Sequence, residues 1–433
     1  MTIGRGWKTL ATAAVGLALL ATGCSGDPSG GAAGTSLGGR TGGNDTGAPP
    51  GTGASVDPEQ AAEIDQLVQT FREENGLRAV VVKVSVEGEE VITRAYGESM
   101  TGVPATPDMH FRNGAVAISY VATLLLQLVD EGKVSLDDPV SRYLPDMASG
   151  DQVTVGQLAR MTSGYRDYER NETFQRAFYV DPFKTWTTDE KLALGADLPL
   201  WFEPGTNWSY AHTNYVVLGM VLEQITGESM HDLMQERVLD PLGLDGTVGS
   251  ETAEIPEPAL HAFTSERRET LGIPAGTEFT EESSYWNPSW SLNEGAIQTT
   301  TIEDMDKTAI AIGTGTLLSP SSYEAMISTD LRGFGTALDT CAPSCGPQSE
   351  FYSYGIGLVT SGNWVLQNPL FGGYAGVAAY LPSEGIAISV AVTFGPEAFD
   401  ESGGYIGGNL GDTLFREIGA VMAPQDAPPV RTP

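Results

Sequence analysis

Residues 111–145 read FRNGAVAISYVATLLLQLVDEGKVSLDDPVSRYLP. The run opens a helix just after the Asn113-Gly114 pair and continues it through a stretch of leucine, valine and alanine that packs a domain. Its first turn presents Ala115 and Ile118. Neither side chain can donate an electron pair to a carbonyl, accept a proton or carry charge.

Outward from this helix the chain changes character on both sides. Asp57 and Pro58 suit an N-cap and a first helical position, Ala61, Ile64, Leu67, Val68 and Phe71 follow at helical spacing, and Gly76 ends the helix. AVVVKVSVEGEEVITRAYG, residues 79–97, reads as two β-runs around a Glu-Gly-Glu turn. Residues 113–310 are dominated by helical patterns. Strand signals return in YGIGLVT (354–360), NWVLQ (363–367), VAAYLP (377–382) and GIAISVAVTF (385–394), and DTLFREIGAVM (412–422) reads as a closing helix. The pattern predicts an α/β (α+β) domain over 57–421. Its two ends, 57–112 and 351–421, share one antiparallel sheet flanked by helices, and 113–350 forms a large, mainly helical insertion. The tail 422–433 is expected to be disordered.

At 433 residues and 41% apolar the chain can build a sizeable core. Its net charge of −33 argues against nucleic acid as a partner, because a binder must neutralise phosphates with a basic surface. Acidity of this size favours a soluble monomer. Arg5 and Lys8 precede the apolar run Leu10–Ala21, which has the length of a signal peptide's apolar segment, and Ala-Thr-Gly-Cys follows at 21–24. Small residues directly before a cysteine resemble a bacterial lipoprotein processing site. Residues 1–24 are therefore expected to be a lipoprotein signal peptide with Cys24 as the lipid-bearing residue, and 25–56, rich in Gly, Ser and Thr, a flexible tether. This places the domain outside the cytoplasm, held to the cell membrane by lipid. Gly34–Gly38 (GTSLG) matches a nucleophile-elbow pattern without the strand and helix that the pattern requires. Export implies an oxidising compartment, so Cys341 and Cys345 in CAPSC are expected to pair as a disulfide. His110, His212, His231 and His261 show no ligand spacing, so no metal and no cofactor is expected.

Five further segments carry a resemblance when taken with 111–145. They are VTVGQLARMTSGYRDY (153–168), FEPGTNWSYAHTNYVVLGMVLEQITG (202–227) followed by VLDPLGLDGT (238–247), SLNEGAIQTTTIEDM (291–305), YGIGLVT (354–360) and FGGYAGVAAYLPSEGIAISVAVT (371–393). From Pro107 onward the chain resembles the serine β-lactamase/DD-peptidase superfamily, in particular its class C-like, penicillin-binding-protein-like branch. The resemblance implies a β-lactamase/transpeptidase-like fold and three motifs that carry acyl transfer. The first, S-x-x-K, places a nucleophilic serine and its basic partner one helical turn apart; those positions are Ala115 and Ile118. The second, Y-x-N, reads Tyr210-Ala211-His212. The third, a strand bearing a cation, falls at NPLFGGYAG, with Leu370 or Phe371 at the cationic place.

A search for a relocated pair finds little. Thr188 lies three residues before Lys191, on what reads as a surface helix, and Ser119 has no base at the matching spacing. Residues 361–363, Ser-Gly-Asn, read as a turn between strands. Losing a nucleophile alone costs about 10⁶ in turnover, and here all three motifs are degraded. The reading is of a catalytically inactive pseudoenzyme whose old cleft, lined by Trp208, Tyr210, His212, Gly372, Gly373 and Tyr374, binds a cell-wall peptide or an envelope protein. The alternative is an active serine-hydrolase-type enzyme, acting on a β-lactam or D-Ala-D-Ala peptide, that uses a non-standard site built from Ser119, Tyr210 or His212.

Overall fold

In the computed structural model, which describes residues 58–249 and 252–431, the valine-rich run Leu77–Val86 is an inner strand buried along nearly all its length. It turns through Glu87 and Gly88, both at positive φ (51° and 83°), into Glu89–Met100. Two left-handed residues between paired strands make a hairpin turn whose twist matches that of the strands. On its other side Leu77–Val86 pairs antiparallel with Ile386–Phe394, Val80 opposite Val392. The two ends of the chain therefore share one sheet. Its order is Val103–Pro104, Glu89–Met100, Leu77–Val86, Ile386–Phe394, Tyr374–Leu381, Trp364–Gln367, Val359–Ser361 and Ser353–Tyr354, with Leu370–Phe371 also beside Tyr374–Leu381.

Strands 374–381 and 386–394 are buried at every residue because helices cover both faces. Gly376 shows the arrangement. A Cβ there would meet the Val390 carbonyl at 2.7 Å and Met305 of the Ile302–Thr314 helix at 3.5 Å, while Gly411 of the Leu410–Met422 helix comes against the Gly376 backbone. The Pro58–Glu74 helix packs beside Leu410–Met422. A strand glycine of this kind marks close backbone approach.

The Val116–Asp130 helix is apolar on every side and has 12 buried residues. Such a helix must be enclosed, and the helices His212–Thr226, Met230–Met234 and Pro320–Met326 wall it in. Its Tyr120 hydroxyl meets the Thr308 hydroxyl at 2.7 Å, tying it to the helix on the sheet.

Three expectations change at this level. The insertion is helical to Leu242 and again from Ile302, but 252–297 runs mainly as turns and short strands, including Phe263–Thr264 paired with Glu281–Glu282. Pro256, Pro258, Pro274 and Pro288 in that stretch deny the backbone donors a helix needs. The tail is ordered through Pro429. Asp426 accepts from the Trp364 indole through its carbonyl (2.7 Å) and from Asn363 through its carboxylate (2.6 Å), and Pro428 lies against Gly419. The third change concerns Lys191, whose helix Thr188–Leu194 is not a surface element at that residue: Lys191 is 2% exposed. Cys341 and Cys345 form a disulfide, and the Cys345 backbone pairs antiparallel with that of Ser209 beside the second motif. Ser361-Gly362-Asn363 joins two strands as a turn. The signal segment, Cys24, the tether, the Asp57 cap and Gly34–Gly38 lie outside the described residues.

Gly313, on the inner face of the Ile302–Thr314 helix, tests the helix–sheet packing. A Cβ there would lie 2.2 Å from the Tyr380 ring and 2.5 Å from the Tyr380 Cβ. Alanine is the better helix former by about 1 kcal/mol, yet Gly313→Ala should lower stability in urea denaturation, because overpacking typically costs about 1–3 kcal/mol. A stabilised variant would show that this helix is free to move off the sheet.

Candidate functional site

The turn before the central helix is held by reciprocal bonds. Asn113 Nδ2 donates to Gln298 Oε1, and the Gln298 backbone N–H donates to Asn113 Oδ1, each at 3.2 Å. Gly114 (φ 52°) then starts the helix, with Ala115 at its N-cap making no side-chain bond. Ala115 is partly exposed and Ile118 is wholly buried. Ser119 is 1% exposed, and its hydroxyl donates back to the Val116 carbonyl at 2.7 Å. A Ser bonded within its own helix in this way is a structural group, which removes Ser119 as a fallback nucleophile.

The third-motif strand settles between Leu370 and Phe371. Successive side chains leave a strand on opposite faces, and Phe371 is the one that meets the first turn. A Cβ on Gly114 would lie 2.4 Å from the Phe371 ring and 2.7 Å from Pro369. The ring therefore lies on the Gly114 backbone, next to Ala115, with Trp290 and Tyr374 at 6.1 and 5.9 Å between centroids.

The expected cleft lining is partly corrected. Trp208 is 2% exposed, packed on Tyr352 and Tyr354, and Tyr374 is 3% exposed with its hydroxyl donating to the Leu260 carbonyl. Large aromatics gain most from full burial, and both are core residues. Gly373 is buried under the Phe263 backbone, and its N–H donates to the Tyr405 hydroxyl. The Gly372 carbonyl accepts from Ser283 at 2.6 Å. Tyr210, His212 and Gly372 remain partly exposed.

At the second motif the fold assembles charge. Ala211 caps the His212–Thr226 helix, and residues 161–170 wrap around its start. Asp167, 4% exposed, accepts from the backbone N–H of His212 (3.2 Å) and of Glu169 (3.3 Å) through Oδ1. A carboxylate is favourable there, since a helix N-terminus carries partial positive charge. The imidazole Nδ1 of His212 lies 3.0 Å from Glu169 Oε1 and 3.4 Å from Asp167 Oδ1, and Arg170 Nε lies 3.8 Å from Asp167 Oδ2. The Tyr210 ring stands edge-on to the imidazole at 5.1 Å.

Burial by itself pushes the imidazole's pKa down, but Glu169 and Asp167 more than reverse this and raise it. Burial also raises Glu169, with His212 opposing. The two groups act on each other, and two facing carboxylates favour the charged imidazole. Nearby, the Lys191 ammonium donates to the carbonyls of Ser289 (2.9 Å) and Leu292 (2.5 Å); burial pushes it down to about 8 against the pull of Glu169 and Glu294. His212 was singled out by its motif position. Asp167 and Glu169 were not, although Asp167 lies in a quoted segment, because nothing in their spacing signals the 45 residues that folding closes between Asp167 and His212.

Comparison with known proteins completes the description. The family model described as Beta-lactamase matches residues 64–406. The chain is 32% identical over 209 residues to penicillin-binding protein 4 of Amycolatopsis lactamdurans, covering 47% of this chain and 51% of that protein. It is also 32% identical over 214 residues to the esterase EstB of Burkholderia gladioli, covering 45% and 54%. These matches thus span about half the length of each relative. Among solved structures, a D-amino acid amidase of Ochrobactrum anthropi SV3 complexed with D-phenylalanine shares the fold, with a TM-score of 0.67 at 22% identity over 83% of this chain and 99% of that one.

The raised imidazole has a measurable consequence. Its ion pairs stabilise the folded chain fully below the ordinary histidine value of about 6.5, and that contribution is lost as pH rises through the raised value. In chelator-treated buffer the stability gap between wild type and His212→Gln should therefore be widest near pH 6 and shrink toward pH 9. A gap independent of pH would mean that folding leaves the imidazole at its ordinary value.

Proposed function

We propose a function from one premise: the chain belongs to the Beta-lactamase family. It is a catalytically silent member of that family, a binding module for a cell-wall peptide or an envelope partner, carried outside the cytoplasm on a lipid at Cys24. The observation that carries this reading is the first turn. Ala115 holds the nucleophile's place, Ile118 is buried in the core at the base's place, and the Phe371 ring lies on Gly114 beside them. Acyl transfer in two steps needs a nucleophile and a group to take its proton, and the geometry offers neither at this turn. An apolar ring and side chain fill space that the missing groups would keep polar.

The peptide class of ligand is supported by a relative named as a penicillin-binding protein and by the amidase seen with D-phenylalanine. Tyr210, His212 and Gly372, still partly exposed, are the remaining surface on which such a ligand would rest. A hydrolase using another site would need a nucleophile beside His212, and Ser119 is committed to the Val116 carbonyl.

Intact-mass measurement of the purified chain after incubation with a penicillin, and separately with a reactive fluorophosphonate, tests this reading. No mass increase is expected with either reagent, and a stoichiometric adduct would overturn the proposal. The double variant Ala115→Ser/Ile118→Lys should also stay unacylated. It should lose about 3–5 kcal/mol of stability, the cost of an uncompensated buried charge, because position 118 is wholly buried.

A further inference from the structure

We infer that Asp167, Glu169 and His212 form a binding site for one divalent transition-metal ion, of the zinc, manganese or cobalt class, at the place where the family's second motif would hold an asparagine. Each of the three side chains offers one ligand atom, and these atoms all lie within 4.8 Å of one another. His212 Nδ1 is 3.0 Å from Glu169 Oε1 and 3.4 Å from Asp167 Oδ1. Three donors held at about 2.1 Å around a tetrahedral ion stand roughly 3.4 Å apart, so the cluster needs only small side-chain movements to close on an ion.

A second observation separates this cluster from an ordinary surface ion pair. Glu169 Oε1 and His212 Nδ1 are both shielded from solvent, and although they face each other at 3.0 Å their geometry is not that of a hydrogen bond. Buried polar atoms are nearly always partnered, and an ion between them would satisfy both at once. Two carboxylates in one buried place also require positive charge close by. Arg170 lies 3.8 Å from Asp167 on the far oxygen, and the charges of Arg170 and Lys191 also act on Glu169, but neither cation stands between the two carboxylates and the imidazole. One imidazole and two carboxylates suit a borderline divalent ion better than calcium or magnesium, which prefer oxygen donors alone. The site is rigidly backed. Asp167 is held by the backbone N–H groups of His212 and Glu169, and the imidazole sits on the first residue of the His212–Thr226 helix. The side chains of Glu169 and His212 are 21% and 17% exposed, which gives an ion a path from solvent. Three protein ligands leave a coordination position open for water.

The site is independent of the proposed loss of acyl transfer, because it is read without any substrate. The full chain, stripped with chelator, is titrated calorimetrically with zinc chloride and, in parallel, with cobalt chloride followed by visible absorption. One equivalent of zinc should bind and raise the thermal midpoint, and cobalt should give the ligand-field bands of a low-coordinate site with nitrogen and oxygen donors. His212→Gln and Glu169→Gln, each nearly isosteric, should weaken zinc binding by more than about 100-fold, beyond the 10–100-fold that loss of an outer-shell partner costs. His110→Gln, outside the cluster, should leave it unchanged. Absence of zinc uptake by the wild type, or uptake that survives both cluster variants, overturns the inference and leaves the three residues as an imidazolium paired with two carboxylates. If a variant fails to fold, the wild-type cobalt spectrum still decides: no ligand-field bands on addition of one equivalent has the same meaning.

Discussion

The Val116–Asp130 helix has no face for water, and most of the molecule follows from enclosing it. Twelve of its residues are buried, so the chain must supply walls on every side. The inserted helices do this from one direction, and the Ile302–Thr314 helix, joined through the Tyr120–Thr308 contact, does it from the sheet. That demand couples the insertion to the sheet shared by the two ends of the chain. It also explains why Ala115 and Ile118 are accommodated at the first turn. Ala115 and Ile118 meet the packing requirement, and a nucleophile and a charged partner would have to be tolerated against it.

The motif positions have changed in two physically different ways. At the first and third, apolar groups stand where charge or a nucleophile is missing, and they pack on one another through Gly114 and Phe371. At the second, a neutral amide position has become an imidazole, and the fold surrounds it with Asp167 and Glu169. Replacement by apolar groups lowers local electrostatic demand. Replacement by His212 raises it, because buried carboxylates need a cation nearby. Burial of the Lys191 ammonium against two carbonyls adds to that concentration of charge around Glu169.

The sheet was readable because strand and helix impose different periods on apolar residues. AVVVKVSV, the runs between 354 and 394 and the closing helix stand close to where their patterns put them. The tail was misread because Pro and polar residues carry no period, and its order comes from docking on Trp364 and Gly419. Lys191 was misread for a related reason: a lysine reads as surface, and the carbonyls that accept its protons come from 98 and 101 residues further along. Trp208 and Tyr374 were read as cleft lining and are core residues, because a motif string does not specify which way a side chain faces.

The amino-acid sequence by itself determined the fold class, the shared sheet and the absence of a serine and a lysine from the first turn, because these depend on local periodicity and on residue identity. Tertiary structure alone decided which groups meet. It chose Phe371 over Leu370 as the residue on Gly114, turned Ser119 back into its own helix, and brought Asp167, 45 residues away in the chain, and Glu169 to His212. Such encounters depend on distances between segments far apart in the chain, and those distances exist only once the core has closed around the central helix.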